Sequence, residues 1–450
     1  GVNMATPTIP NGEEYFFPII YSGNGTNQRV GKFVSFTPSG TISKSCIFNN
    51  YDTSNVGHYL QKASMSEGNN QVATFSAWVK YAGPLPLSGD TASNYGTIIE
   101  QGGGNWTASA HFMFYMDRGR LVWYHNGTIM LKTNSRFADN SKWYHIMWAL
   151  DVTQSTASDR LKIYVDGDQI TSFDTDNRSS LTQNTDLTYI NASGQQLNVG
   201  STPSGNGYQG LNAYMAEINY VDGAALTPAT FGETDTSSGR WVPKAITGVT
   251  YGTNGFRMEF GSPSNLGDDT SGNTYDLSVN GLVAADQRND TPTNNLPIMR
   301  PYNTAYSQLM YEGGLTTYTN GTNKGYAMCS TLRPKGSGKF YAEVRTSGNG
   351  GGNTLAFGCY TQEDLEAVTT STNVYVGHSG SNGCGSGLWY VHGGTNQLRF
   401  GSTVTSNPSA TINGGDVIGI ALDLDNDLIS FYNNSGSLIG STTFDSSKSA

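Results

Sequence analysis

The chain has 450 residues, 35 acidic against 25 basic for a net charge of -10, and only 13% charged side chains beside 56 glycines. An acidic chain with no basic stripe and no interleaved aromatics lacks a phosphate-backbone footprint, so nucleic acid is not an expected partner. No apolar run approaches the roughly 20 residues a membrane span needs, so no membrane insertion is expected, and the length predicts two or three domains.

Residues 1–42, with Pro7, Pro10, Pro18 and Pro38, show no periodic pattern and read as an N-terminal arm for attachment or assembly. Strands follow almost without a break. "TFSAWVKY" (74–81), "HFMFYMD" (111–117), "RLVWYHNG" (120–127), "WYHIMWALD" (143–151) and "LKIYVDG" (161–167) are short aromatic or β-branched runs closed by Gly, Asn or Asp. That is the signature of antiparallel strands joined by tight turns. In "WYHIMWALD", Tyr144, Ile146, Trp148 and Leu150 fall on one face and Trp143, His145, Met147 and Ala149 on the other. Both faces are largely apolar, as for a sandwich strand with its outer face partly covered. Residues 246–310 are rich in Gly, Asp, Asn and Pro and read as an irregular connector with one strand, "GFRMEF". Strand patterns resume from about residue 311, and only "TQEDLEAV" (361–368) reads as helix. The four cysteines lack paired metal spacing; free buried thiols are expected, with a Cys359–Cys384 bridge as the alternative.

The ordered motifs "TFSAWVKY", "SKWYHIMWALDVT", "LKIYVDGDQI" and "AYMAEINYVDGAALTPATF" resemble a laminin-G or concanavalin-A-like jelly roll over residues 43–245. "GSGKFYAEVRTSG", "LAFGCY" and "GDVIGIALDLDNDLISFYNNSG" resemble a SPRY domain over residues 311–450. The implied fold class is all-β, two β-sandwich domains in that order. SPRY-like domains continue through a further strand beyond the point where "TTFDSSKSA" ends, so either the chain is cut short or another segment completes the sheet. "FGETDTSSGRWVPK", "YGTNGFRMEF" and "NLGDDTSGNTYDL" are similar to large virion proteins of tailed bacteriophages. That likeness implies a tail-fibre, capsid-fibre or decoration component of the virion, a homo-oligomer whose partners are other virion proteins and a glycan or host cell surface.

Catalytic chemistry is sparse. "EINYVD" places Glu217 and Asp222 near the acidic pattern E-x-D-x-x-E of some concanavalin-like glycosidases, whose two carboxylates act as nucleophile and acid/base. Asn219 stands at its middle acid and the final Glu is Asp222, so a structural strand end is the expectation. No histidine neighbours a nucleophile motif. Asp268, Asp269, Asn273 and Asp276 offer the hard oxygen ligands calcium takes, the alternative being Asx turns that satisfy their own backbone; otherwise no cofactor is expected. Tyr95, Trp106, Tyr208, Trp389 and Tyr390 sit in or beside Gly-rich turns, where exposed rings among amides and hydroxyls suit a sugar. The leading expectation is therefore a non-enzymatic binding protein; the alternatives are a glycan-cleaving depolymerase and a purely structural virion subunit.

Overall fold

The computed structural model describes residues 15–22, 28–30, 42–49, 57–82, 95–102, 111–137, 139–201, 210–235, 239–296, 299–301, 308–311, 316–319, 328–332, 339–346, 354–361, 386–391, 396–400, 403–413 and 415–443. They are almost entirely antiparallel β-structure and divide into two compact units, one of residues 35–296 and one of residues 1–34 with 297–450. The expected helix at 361–368 falls, after Thr361, outside the described residues. Among the described residues no helix is long and apolar enough to cross a membrane.

The unit of residues 35–296 holds two eight-stranded sheets. In the first, Tyr144–Asp151 lies between Leu161–Val165 and Val72–Tyr81, and Val72–Tyr81 pairs in turn with Asn212–Asp222. In the second, Thr128–Thr133, Arg120–His125, Phe112–Asp117, Tyr95–Gln101, Leu197–Val199 and Tyr59–Lys62 follow one another. The hairpins close because Asp166–Gly167, Asn126–Gly127 and Arg118–Gly119 all take positive φ, the left-handed pair whose twist matches the flanking strands. Alternation then sorts the side chains. Tyr144, Ile146, Trp148 and Leu150 enter the core between the sheets, where the Trp148 ring meets Phe75, Phe112, Trp123 and Tyr220. Met147 and Ala149 point the other way and are covered by Phe231, with Leu226 and Ile246 beside it.

Residues 246–296 of the expected connector are instead part of this sandwich, and residues 297–310 belong to the other unit. Phe256–Met258 pairs with Asn212–Asp222, Ser278–Asn280 with Tyr59–Lys62, and Gln287–Arg288 with Ser45–Asn49. Strands of two or three residues are too short to show alternation, so composition alone reads them as loop. A buried ion pair clips their end in place. The Lys80 ammonium, fully buried, donates to Asp290 at 2.8 Å, to Asn295 Oδ1 at 2.7 Å and to the Leu296 carbonyl at 2.8 Å. The other Asp290 oxygen accepts the Trp143 indole N–H at 3.0 Å and the Leu296 N–H at 3.1 Å.

In the second unit, Lys339–Arg345, Val417–Asp423, Leu428–Tyr432 and Leu438–Thr443 form a four-stranded sheet. Phe340, Ala342, Val344, Ile418, Ile420, Leu422, Ile429 and Phe431 are its buried apolar side chains, alternating along each strand. A seven-stranded sheet contains Met328–Leu332, Tyr15–Ser22, Thr354–Thr361, Ser386–Val391 and Gln397–Phe400 as neighbours in that order. The arm expected to lie outside both sandwiches thus supplies an interior strand of this sheet. Pro18 is tolerated there because the register shifts across it on both sides, and a bulge is where a residue without an N–H fits inside a sheet. Cys46 is free and buried; Cys359 is buried as well, and Cys384, its expected alternative partner, lies outside the described residues.

Removing the cation from the clip would leave a buried carboxylate without its counter-charge, which costs about 3–5 kcal/mol. Lys80→Met is therefore expected to lower unfolding free energy by that amount in denaturant titrations. A loss below about 1 kcal/mol, the level of an exposed pair, would contradict the clip.

Candidate functional site

Trp106 and Tyr208 lie outside the described residues, and Tyr95 begins the strand Tyr95–Gln101. Trp389 and Tyr390, expected on a loop, belong to the interior strand Ser386–Val391, paired at Ala356↔Trp389 and Leu355↔Tyr390. The Gly-rich flanks of that strand concealed it. In the acid-rich turn, Asp269 accepts the backbone N–H groups of Arg257, Ser271 and Tyr275, and Asp276 accepts that of Asp269. Asn273 donates its amide to the carbonyls of Gly252 and Gly255. Asp268 is exposed beside them. These are the Asx-type contacts by which a turn satisfies its own backbone. Among the described residues, no three His, Cys, Asp or Glu side chains are grouped to hold a metal ion.

The acid pair of "EINYVD" is built into the frame. Pairing along Asn212–Asp222 shifts between Ala216 and Asn219, and Glu217 takes φ 50°, so one residue is extra and the alternation changes parity. Ala213 and Met215 face the core before the bulge, Ile218 and Tyr220 after it. Glu217, buried, is ion-paired with the Arg257 guanidinium at 2.5 Å; burial pushes its carboxyl up while Arg257 pulls it down. Asp222 accepts the Asn69 N–H at 2.8 Å, the Asn191 amide at 3.0 Å and the Asn254 N–H at 3.0 Å. Burial pushes its carboxyl up as well, against those donors. Gly68 must lack a side chain, because a Cβ there would come within 2.2 Å of the Asp222 carboxylate. Each carboxylate already has its own fixed partners.

A serine–histidine contact that the sequence did not disclose has the same character. His145 Nε2 lies 2.8 Å from Ser76 Oγ, and the Trp241 indole N–H donates to His145 Nδ1 at 3.1 Å. An indole N–H can only donate, so Nδ1 is the acceptor and the ring proton sits on Nε2, donated to the serine. A histidine so arranged has no lone pair to offer Ser76. Burial holds its pKa down at about 3, and the ring stays neutral. Trp241 reaches it by lying against Gly167 and Gly232, where a Cβ would meet the indole at 2.5 and 2.6 Å.

The outer face of the second sheet carries a different arrangement. Register places Gln61, Asn198, Glu100, Met113, Tyr124 and Ile129 side by side in one row across six strands. One half of the row is polar: the Gln61 amide donates to Asn198 at 3.0 Å, and the Asn198 amide donates to Glu100 at 2.6 Å. The other half is apolar, with Tyr124 and Ile129 packed on Met113, Tyr115 and Val122. Asn198, Glu100 and Met113 are buried, whereas Gln61, Tyr124 and Ile129 are half-buried and reach the surface. The His111 ring lies 5.0 Å from that of Tyr124. His125, the next residue along, packs against Trp123 and Tyr189 with centroids 6.1 and 5.9 Å away, and its pKa falls to about 4, through burial first and repulsion from His111 second. His111 and Gly102 bracket the segment that contains Trp106, and a Cβ at Gly102 would meet the Tyr189 ring at 3.2 Å.

Residues 339–450 match the SPRY domain. The SPRY match begins at Lys339, so the strands Tyr15–Ser22 and Met328–Leu332 of the seven-stranded sheet lie outside it. No curated protein matches the chain. Among solved structures, a putative carbohydrate binding protein from Bacteroides ovatus is 14% identical, with 55% of this chain and 60% of that one covered and a TM-score of 0.36. Domains LG4-5 of the mouse laminin alpha1 chain are 10% identical over 91% of this chain and 80% of that one, with a TM-score of 0.30. Tailspike protein 2 of the Escherichia coli O157:H7 bacteriophage CAB120 is 12% identical over 51% and 28%, with a TM-score of 0.27.

The two depressed histidines make stability pH-dependent. Their contribution is complete above the unfolded value near pH 6.5 and is lost as pH falls toward about 4 for His125 and about 3 for His145. In that window each is expected to remove about 1.4 kcal/mol per pH unit. His145→Gln should flatten the decline measured by denaturant unfolding between pH 6.5 and 4. An unchanged slope would contradict the buried neutral state.

Proposed function

We propose that this protein is a non-enzymatic glycan-binding component of a tailed-phage virion surface, and that the outer face of its second sheet contributes the ligand contacts. The observation that carries the reading is the Gln61-to-Ile129 row. It pairs an amide and carboxylate ladder with a tyrosine backed by apolar side chains. A sugar ring has matching chemistry, C–H groups that stack on an aromatic face and hydroxyls that exchange hydrogen bonds with amides. The absence of catalysis is supported by Glu217 and Asp222 being held by Arg257 and by backbone N–H groups. The virion assignment is supported by the sequence likeness of residues 231–277 to tailed-phage virion proteins, and with it go an extracellular particle and other virion proteins as partners.

The test is binding to a panel of bacterial surface polysaccharides by the parent protein and by Tyr124→Ala, Gln61→Ala and Glu217→Gln. Loss of the ring or of the exposed amide should each weaken binding about tenfold, roughly 1.4 kcal/mol, whereas Glu217→Gln should leave affinity unchanged. Full affinity in Tyr124→Ala, with an unchanged melting temperature, would rule the face out.

A further inference from the structure

We infer that residues 15–22 form a separable donor strand through which one copy of this chain completes the sheet of another. Tyr15–Ser22 lies between Met328–Leu332 and Thr354–Thr361, which are both bonded to it and not to each other. Withdrawing it would leave two facing rows of unpaired backbone N–H and C=O groups inside a sheet, the arrangement that most readily captures another strand. No hairpin fixes the choice of donor. The strand comes from before the whole of residues 35–296 and the strands it joins come from after them. Recognition in a ladder uses backbone groups and a short register, so an identical segment from a second copy meets the same two edges on equal terms.

Pro18 lowers the cost of release. The register shifts between Phe17 and Ile19 on one side and between Phe16 and Ile19 on the other, so both ladders are interrupted mid-strand. A strand that cannot donate at its centre is held by fewer bonds than its eight residues would otherwise make. The arm thus assembles copies by the same pairing that completes the sheet within one of them.

The register supplies the experiment, because Ser22 stands opposite Leu355. Directly opposed residues in antiparallel strands are close enough for a disulfide. Full-length Ser22→Cys and Leu355→Cys variants would be mixed, refolded together and oxidised, beside a chain carrying both changes. The expected result is a cross-linked dimer in the mixture whose 22–355 disulfide is found by peptide mapping. Closure of the doubly substituted chain within itself, with no cross-linked dimer in the mixture, would overturn exchange. Failure of the doubly substituted chain to cross-link in any form would overturn the placement of the strand itself.

Discussion

The first sandwich depends on one buried charge pair. Lys80 lies in a central strand of the first sheet, and an ammonium with no exposure there is tolerable only if every N–H finds an acceptor. Asp290, Asn295 and the Leu296 carbonyl provide the three, and all come from the last residues of a segment with little periodic structure of its own. The requirement runs in both directions. The lysine cannot be buried without that segment, and the segment's short strands are held against the sheet edges by its closure. Ser45, in the strand Ser45–Asn49, and Trp143, just before the strand Tyr144–Asp151, are bonded to Asp290 and extend the same knot across the sheet.

With the outer face of the first sheet so enclosed, its reactive-looking groups become structural. The Glu217 bulge reverses parity so that Tyr220 can reach Asn191 and Asp222 can gather three loops, and Trp241 fixes the His145 tautomer from outside. Positive φ at a non-glycine residue costs about 1–3 kcal/mol and is kept only where surrounding contacts enforce it. Here the Arg257 ion pair and the new parity are those contacts. The second sheet has no comparable cover in the described residues at Gln61, Tyr124 and Ile129, which is why ligand chemistry is assigned to that side.

Alternation made the long strands legible. The two faces of "WYHIMWALD" divide as the sequence indicates, and "GDVIGIALDLDNDLISFYNNSG" folds as the hairpin Val417–Asp423 with Leu428–Tyr432. Pairing partners were not legible, since a strand such as Gln287–Arg288 is specified by what it bonds to rather than by its own residues. Proline misled for a related reason: Pro18 signals a break in a ladder, and a double bulge is also such a break. Rings in Gly-rich turns are a local feature of sequence, whereas the candidate face is not. The Gln61-to-Ile129 row draws six residues from six strands between positions 61 and 198, and no short window of sequence contains its polar half or joins that half to Tyr124 and Ile129.

The central claim is recognition of a glycan without cleavage, and one experiment reads both halves. A polysaccharide bound by the protein would be incubated with it, recovered, and sized by gel filtration, with the protein's co-elution followed in the same run. The account predicts that protein travels with the polymer while the polymer's length distribution stays unchanged at any incubation time. Progressive shortening of the chains, abolished by Glu217→Gln or Asp222→Asn, would contradict it.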